Sequence, residues 1–261
     1  MGKTGVSATK SCSARAAWLA AALLTAGCAE PNNPPLPPPK AKGKAAAFDP
    51  VAHATQRLAV AREKFKAAQA IDNTAWHLGQ ACFQRAEFAR DNAERARLAQ
   101  EGIDACQKLI DTQPKNPGGH YYLGMNLGQM ARVKRFSALG LVKDMEDAFG
   151  SARKLNPQFS HAGPDRNLGL LYFKAPRFIS VGDAAKARAH LEAAVKLAPD
   201  YPANRLNLLE AFIEWEDTPG INTQRAALKT LLPEARKKFT GNDWAADWLE
   251  WNRRWANLGR E

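Results

Sequence analysis

The sequence predicts an all-α protein, a right-handed solenoid of stacked helix pairs that occupies residues 48–261. From residue 49 onward, apolar residues recur at helical spacing, and no segment alternates as a strand does. A Leu-Gly motif among apolar residues recurs at 78–79, 123–124 and 168–169. Repetition of this kind indicates stacked copies of one helical unit. We predict four degenerate helix pairs, with one further helix capping each end.

Residues 1–27 have the organisation of an export signal. Lys3, Lys10 and Arg15 precede a short apolar run at 16–24. That run is far shorter than the roughly 20 residues that span a bilayer. Small residues follow it, as they do where a signal peptide is cleaved. The sequence therefore predicts a leader that is removed.

Cys28 follows directly after the small residues 25–27. This arrangement resembles the lipobox of bacterial lipoproteins, and the resemblance implies that Cys28 is acylated and becomes the new N-terminus. Two or more acyl chains give stable membrane anchoring. An ordinary secretory signal with an incidental cysteine is the alternative. Ala29 stands where an aspartate often marks retention at the inner membrane, so the resemblance favours the periplasmic face of the outer membrane.

A proline-rich spacer occupies residues 28–47 and includes the stretch PNNPPLPPPK. Proline fixes φ and removes a backbone donor, so this segment cannot build a core. A proline-rich chain extends by about 3.1 Å per residue. We therefore expect a semi-rigid tether that holds the helical domain up to roughly 60 Å from the lipid.

The charge of the chain is basic, with 37 Lys and Arg against 26 Asp and Glu. Removal of the leader takes away three basic residues and leaves a net charge near +8. Export argues against nucleic acid as the partner. Anionic lipid, cell-wall polymer and acidic proteins are the partners that remain, and a surface that serves only solubility is the alternative.

Two cysteines, Cys82 and Cys106, remain in the predicted domain. They lie in adjacent predicted helices on either side of a turn near 91–92. An oxidising compartment permits a bridge between such a pair. We favour a disulfide, and two buried free thiols are the alternative because cysteine packs well in helical cores.

The repeated segments resemble the tetratricopeptide repeat. Each combines Leu-Gly with a second helix, and two of those helices end in Ala152…Pro157 and Ala194…Pro199. The glycines and alanines allow close helix packing, and the prolines end the second helix. The copies stand 45 residues apart, against the usual ~34. We place the excess in lengthened hairpins at 129–140 and 174–183 and begin a fourth copy at 205–212.

A narrower resemblance covers residues 115–215. Gly-Pro-x-Arg-x-Leu-Gly at 163–169, Ala-Pro at 175–176, and Tyr-Tyr-Leu followed by Asn-Leu-Gly at 121–128 look like the T-component lipoproteins of TRAP transporters. The resemblance implies a periplasmic helical-repeat lipoprotein that partners a solute-binding subunit and forms homo-oligomers. It also implies a channel or apolar pocket through the repeat core. No ligand residue of that family can be matched onto this sequence.

The two ends of the domain are predicted to be helices. Asp49-Pro50 forms a good helix start before a helix over 49–70. Near the C-terminus, one helix face carries Trp244, Trp248, Trp251, Trp255 and Leu258. Packing as a cap on the fourth copy is our interpretation of this face. A subunit contact or a membrane-interface belt is the alternative.

No catalytic, cofactor or metal motif is present in the sequence. The five histidines lack zinc-site spacing, and there is no nucleophile elbow, P-loop or dinucleotide fingerprint. His161 and Asp165 are interpreted as a loop histidine and a helix N-cap rather than a dyad. We expect neither an enzyme nor a cofactor.

Function is therefore assigned to a surface. In a helical-repeat stack the first helix of each copy lines the concave side. Positions flanking each Leu-Gly predict a ligand or partner groove made of Trp76, Gln80, Tyr121, Met125, Gln129, Arg132, Arg166, Leu170 and Lys174, with Leu206 and Glu210 in the fourth copy. A protein-binding scaffold in solute uptake is the leading hypothesis. A carrier of a lipid or organic acid and an envelope-assembly factor are the alternatives.

Overall fold

The computed structural model describes residues 48–68, 70–134, 138–177 and 180–260. The leader, Cys28 and the proline-rich spacer lie outside these residues. The predictions of a leader, an acylated cysteine and a tether therefore stay predictions. The structural description that follows concerns the helical domain.

The described chain contains ten α-helices and no strand. They are α1 (Pro50–Ala67), α2 (Asn73–Glu87), α3 (Asn92–Thr112), α4 (Pro117–Val133), α5 (Ala138–Leu155), α6 (Phe159–Lys174), α7 (Ala184–Leu197), α8 (Pro202–Glu214), α9 (Thr218–Lys238) and α10 (Ala245–Leu258). A short 3-10 turn, Asn242–Trp244, precedes α10. Packing pairs α2 with α3, α4 with α5, α6 with α7, and α8 with α9. The predicted all-α repeat of four helix pairs, with one helix at each end, is confirmed.

Side-chain caps explain where several helices begin. The Asp49 carboxylate accepts hydrogen bonds from the backbone N–H groups of Val51 and Ala52, and Pro50 fills the first helical position as predicted. Asp91 caps α3, and Asn116 caps α4 in the same way. A cap of this kind typically stabilises a helix by about 1 kcal/mol. The residue directly before each of these three helices therefore sets where the helix begins.

The glycine of the repeated Leu-Gly motif marks close helix contact. A Cβ atom on Gly124 would lie 2.6 Å from a ring carbon of Phe149 in α5. A Cβ atom on Gly169 would lie 2.7 Å from Cγ of Leu191 in α7. Carbon atoms need about 3.5–4.0 Å between them. The two helices of a pair can pack this closely only because glycine has no side chain.

The hairpin lengths agree with the sequence at one place and differ at another. The long link between α6 and α7 falls at the predicted 174–183. The other predicted insertion, 129–140, is wrong in its extent, because α4 continues to Val133 and α5 begins at Ala138. Gln129 and Met130 are buried, so helix packing rather than a loop accommodates these extra residues.

A left-handed turn opens α6. Ser160, His161 and Ala162 have φ values of 53°, 55° and 58°. Left-handed backbone costs a non-glycine residue roughly 1–2 kcal/mol. The Arg166 guanidinium offsets this cost, because it donates to the carbonyl oxygens of His161 at 2.9 Å and Ser160 at 3.2 Å. The regular part of the helix then begins around Pro164.

Asp165 is not the helix N-cap that the sequence predicts. Its carboxylate is fully buried and accepts hydrogen bonds from Arg153 Nε at 2.8 Å and from His190 Nδ1 at 2.7 Å. The left-handed turn has already started the helix upstream, so the Asp165 side chain joins α5, α6 and α7 instead. His161 stacks on Tyr201 and takes no part in this cluster.

Cys82 and Cys106 are free buried thiols, so the favoured disulfide is corrected in favour of the alternative. The two side chains face different neighbours. Cys106 packs against Gly79 on the side of α4, whereas Cys82 packs with Leu58 and Ala61 of α1. Burial raises the pKa of both thiols, which lowers their reactivity as nucleophiles.

Candidate functional site: the closed inner face of the stack

The residues predicted to line an open groove are mostly buried. Exposure is below one tenth for seven of the nine: Trp76, Gln80, Tyr121, Met125, Gln129, Arg166 and Leu170. Arg132 and Lys174 are half-buried and form ion pairs with Glu87 and Glu210. The structure therefore presents a covered inner face in place of the open groove. Contact of these residues with a ligand stays a prediction.

The chain's own C-terminal segment reaches from α1 to α8. We call residues 242–258, the 3-10 turn with α10, the closing segment. At its start, Arg57 Nη1 of α1 donates to Asp243 Oδ1 at 2.5 Å. At its other end, Arg254 Nη2 donates to Glu210 Oε2 of α8 at 2.9 Å, and Lys174 of α6 donates to the second oxygen of Glu210. The closing segment thus connects the first helix of the array with the last pair.

Tryptophan packing holds the closing segment in place. Trp248 and Trp251 are buried in a cluster with Tyr201 and Phe239, and Trp248 Nε1 donates to the Phe239 carbonyl at 2.7 Å. Trp244, Trp255 and Leu258 are half-buried against the same cluster. The prediction that this helix caps the fourth pair is confirmed. Its contact with α1 was not foreseen.

A pocket of about 340 Å³ remains where the closing segment meets the N-terminal helices. Its walls come from α1, α2 and the closing segment. Phe48, Phe83, Phe88 and Leu249 supply apolar surface, and Leu249 is 58% exposed. The volume lies at the lower end of the ~300–1,000 Å³ range of small-molecule sites. The space is therefore suited to a compact ligand.

Carboxyl groups with raised pKa line the pocket. Burial raises the pKa of Asp247 well above its ordinary value, although Arg166 acts in the opposite direction. Burial also raises the pKa of Glu87 to about 7, against the nearby Arg132. Withdrawal from water disfavours a charged carboxylate, which is why both groups hold their protons longer.

The sequence analysis did not select the residues of this pocket. Asp247 lies four residues before Trp251, on the aromatic face of the C-terminal helix. An acidic side chain on a face that must be buried is a usable signal, because burial of a charge requires a partner or a change of protonation. The pairing of Arg57 with Asp243 left no such signal, because 186 residues separate them.

The described residues contain no group of three or more His, Cys, Asp or Glu side chains that could hold a metal ion. Among the same residues, no helix is both long and apolar enough to cross a bilayer.

No protein-family model matches the chain, and no curated protein matches it. Among solved structures, the chain is similar to the crystal structure of a thermophilic TPR protein from Thermus thermophilus. The sequence identity is 16%, and the TM-score is 0.48. The match covers 78% of this chain and 98% of that chain. The packing of consecutive helix pairs in this chain itself carries the assignment of a tetratricopeptide-like fold.

Proposed function

We propose that this protein is a lipid-tethered helical-repeat binding protein of the bacterial envelope, which acts by holding another protein and performs no chemistry itself. The observation that carries the proposal is the stack of four helix pairs behind a leader, a lipobox-like cysteine and a proline spacer. Stacked repeats commonly offer an extended binding surface. The finer assignment, periplasmic and associated with solute uptake through a TRAP-type system, depends on the sequence resemblance at residues 115–215.

The tether is tested by replacing Cys28 with serine. Serine cannot be acylated on sulfur, so we expect Cys28→Ser to shift the protein from the membrane fraction to the soluble fraction. Cys12→Ser, within the predicted leader, is the matched control and should fractionate like the unchanged protein. Retention of Cys28→Ser in the membrane, with no soluble form, would contradict the tether.

The partner is tested on intact membranes with photo-crosslinking groups at exposed apolar positions outside the closing segment. Leu139 is 51% exposed and Leu155 is 38% exposed, both on α5. We expect one of them to give a discrete crosslink to an exported solute-binding subunit. Asp111, an exposed residue on α3, is the control position. Crosslinks of equal yield from all three positions, or none from any, would contradict a specific protein contact.

A second candidate function is the carriage of a small molecule, and the pocket beside the closing segment favours it. A compact cavity lined by aromatic and acidic side chains lies where the closing segment meets α1 and α2. A carrier and a scaffold are compatible roles for one tethered protein. They are separable by experiment, because ligand binding to the pocket requires neither Cys28 nor a protein partner.

A further inference from the structure

Asp247 lines the pocket with a carboxyl group whose hydrogen bonds the protein does not complete. The residue is 5% exposed and lines the cavity. Its Oδ1 atom is buried and has no hydrogen-bond partner within the protein. An unsatisfied buried polar atom is destabilising, because nothing replaces the hydrogen bonds it would make with water. Its persistence beside a cavity points to a ligand atom as the missing partner.

The basic groups around Asp247 are already engaged. Arg57 donates to Asp243, and Arg253 holds Glu250 through two hydrogen bonds at 2.7 and 2.8 Å. Arg166, which influences Asp247 from α6, directs its guanidinium donors to the oxygen atoms of Tyr121, Ser160, His161 and Asn204. None of these guanidinium groups donates a hydrogen bond to Asp247 Oδ1.

Carboxyl groups outnumber arginines in the lining of the pocket. Two arginines, Arg57 and Arg253, line it together with four carboxyl groups: Glu87, Asp243, Asp247 and Glu250. His53 also lines it, and burial lowers the pKa of its imidazole, so His53 adds no positive charge near neutral pH. Glu87 receives hydrogen bonds from Gln129 and Arg132. When these carboxyl groups are ionised, a positive ligand group complements the lining better than a negative one.

The walls of the pocket fit the same ligand. Phe48, Phe83 and Phe88 contribute aromatic rings. An ammonium is attracted to the face of an aromatic ring, and the attraction is stronger in desolvated sites. The apolar part of a ligand would lie against these rings, with Leu249 at the exposed edge.

We propose that this pocket binds a compact organic cation, a primary amine on an apolar body, whose ammonium donates to the Asp247 carboxylate. The inference rests on the second candidate function, small-molecule carriage, and names its ligand class. It departs from the organic acid considered from the sequence, because Arg132, Arg166 and Lys174 are committed to Glu87, to backbone and side-chain oxygens, and to Glu210.

Proton linkage follows from the same geometry. Burial raises the pKa of Asp247 in the empty pocket, and an ammonium ligand requires the carboxylate form. The affinity for an amine should therefore rise with pH through the range in which Asp247 titrates. Glu87, on α2, contributes in the same direction. The other ionisable groups facing the site are Arg57, His53 and Asp243 near α1, and Glu250, Arg253 and Arg166.

The test is calorimetric titration of the full-length protein in detergent with three probes of similar shape: 2-phenylethylamine, 2-phenylethanol and 3-phenylpropanoate. We expect the amine to bind at least about tenfold more tightly than the alcohol, a difference of about 1.4 kcal/mol, and the carboxylate to bind most weakly. Asp247→Asn removes the ionisable oxygen at nearly constant shape and should weaken amine binding by about tenfold or more. Asp144→Asn, an exposed site on α5, is the matched control and should leave binding unchanged.

The outcomes separate this inference from the function on which it rests. If the alcohol or the carboxylate binds as tightly as the amine, the cation assignment is wrong and the carrier function stands. If no probe binds, both fail. Unchanged amine affinity in Asp247→Asn, with a thermal unfolding curve like that of the unmodified protein, would remove Asp247 from the site.

Discussion

Arg166 and Asp247 are two buried ionisable groups on the inner side of the stack, and their surroundings differ. Arg166 is fully buried, and its guanidinium meets four oxygens: the carbonyls of Ser160 and His161, Asn204 Oδ1 and Tyr121 Oη. Asp247 is almost as deeply buried, yet its Oδ1 meets no donor, and the residue lines a cavity. The first arrangement holds the chain together. The second leaves a polar atom ready for a ligand.

The contrast shows that one buried ionisable side chain of this molecule stabilises the fold, whereas another is available to a ligand. Burial of an ionised group is costly unless partners satisfy it. The Nη donors of Arg166 meet much of that requirement inside the protein and stabilise a left-handed turn. Burial raises the pKa of the carboxyl group at the pocket, so that group can meet the requirement by taking up a proton at a higher pH than usual. Substitution of Arg166 should therefore lower the free energy of unfolding strongly. Substitution of a carboxyl group at the pocket should change it by an amount that depends on pH.

The largest effect is expected from Arg166→Met. The change removes the donors that hold the left-handed turn and leaves several buried oxygens without partners, so the free energy of unfolding should fall by about 3–5 kcal/mol. Denaturant unfolding of the full chain measures it. Arg97→Met, at an exposed site, is the control and should change stability by less than about 0.5 kcal/mol. A similar small loss at Arg166 would show that the turn does not depend on its guanidinium.

Two glycine substitutions test how tightly the residues around Arg166 are packed. A Cβ on Gly163 would lie 2.7 Å from ring atoms of Tyr121, which itself accepts from Arg166. We expect Gly163→Ala to lower the free energy of unfolding by about 1–3 kcal/mol through overpacking. Gly150 has nothing within 4 Å of its added Cβ, so Gly150→Ala should stabilise α5 by about 0.5–1 kcal/mol. Equal effects of the two substitutions on thermal unfolding would contradict the close approach at Gly163.

A pH titration of stability tests whether burial raises the pKa of the carboxyl groups at the pocket. Glu87 is the group to follow, because it lines the same pocket as Asp247. The pKa of Glu87 is raised to about 7 in the folded chain, against about 4.3 in the unfolded chain. The folded state then binds more protons across this window, so the free energy of unfolding should fall as pH rises from about 4 to about 7. Glu87→Gln should flatten that fall and gain about 1–2 kcal/mol over the parent at pH 8.

The control for this titration is Glu63→Gln, which alters an exposed glutamate of α1 and should reproduce the parent curve. Two parallel curves for Glu87→Gln and the parent would mean that water reaches this carboxylate freely. The pKa of Glu87 would then be close to its ordinary value, and Glu87 would no longer support a proton-linked pocket.

Local sequence features were sufficient to predict most of the fold. The Leu-Gly motifs place α2, α4 and α6, and the prolines at 157 and 199 follow the ends of α5 and α7. Each of these signals acts within one helix or one hairpin. Asp49-Pro50 likewise predicts the start of α1, because a cap and a proline act on the residues directly after them.

These local features could not predict that the inner face is buried. Helical spacing indicates which side chains share a face, as it did for Gln80, Tyr121 and Arg166, but not what covers that face. The cover depends on contacts such as Arg57 with Asp243, between distant parts of the sequence. The disulfide prediction failed for a related reason, since the rotation of each helix about its axis decides which thiols meet. The left-handed turn at 160–162 contains no glycine that would have marked it.

Hydrogen exchange of the full chain, followed by mass spectrometry, tests most directly whether α10 closes the stack. Amides of Ala245–Leu258 should exchange nearly as slowly as those of Pro117–Val133 in the centre of the array. Trp251→Ala should accelerate exchange in α10 while α4 stays protected, because Trp251 is fully buried in the contact that holds the segment. Rapid exchange of α10 in the unmodified protein, beside a protected α4, would mean that the closing segment does not stay on the stack, and the pocket beside it would not persist.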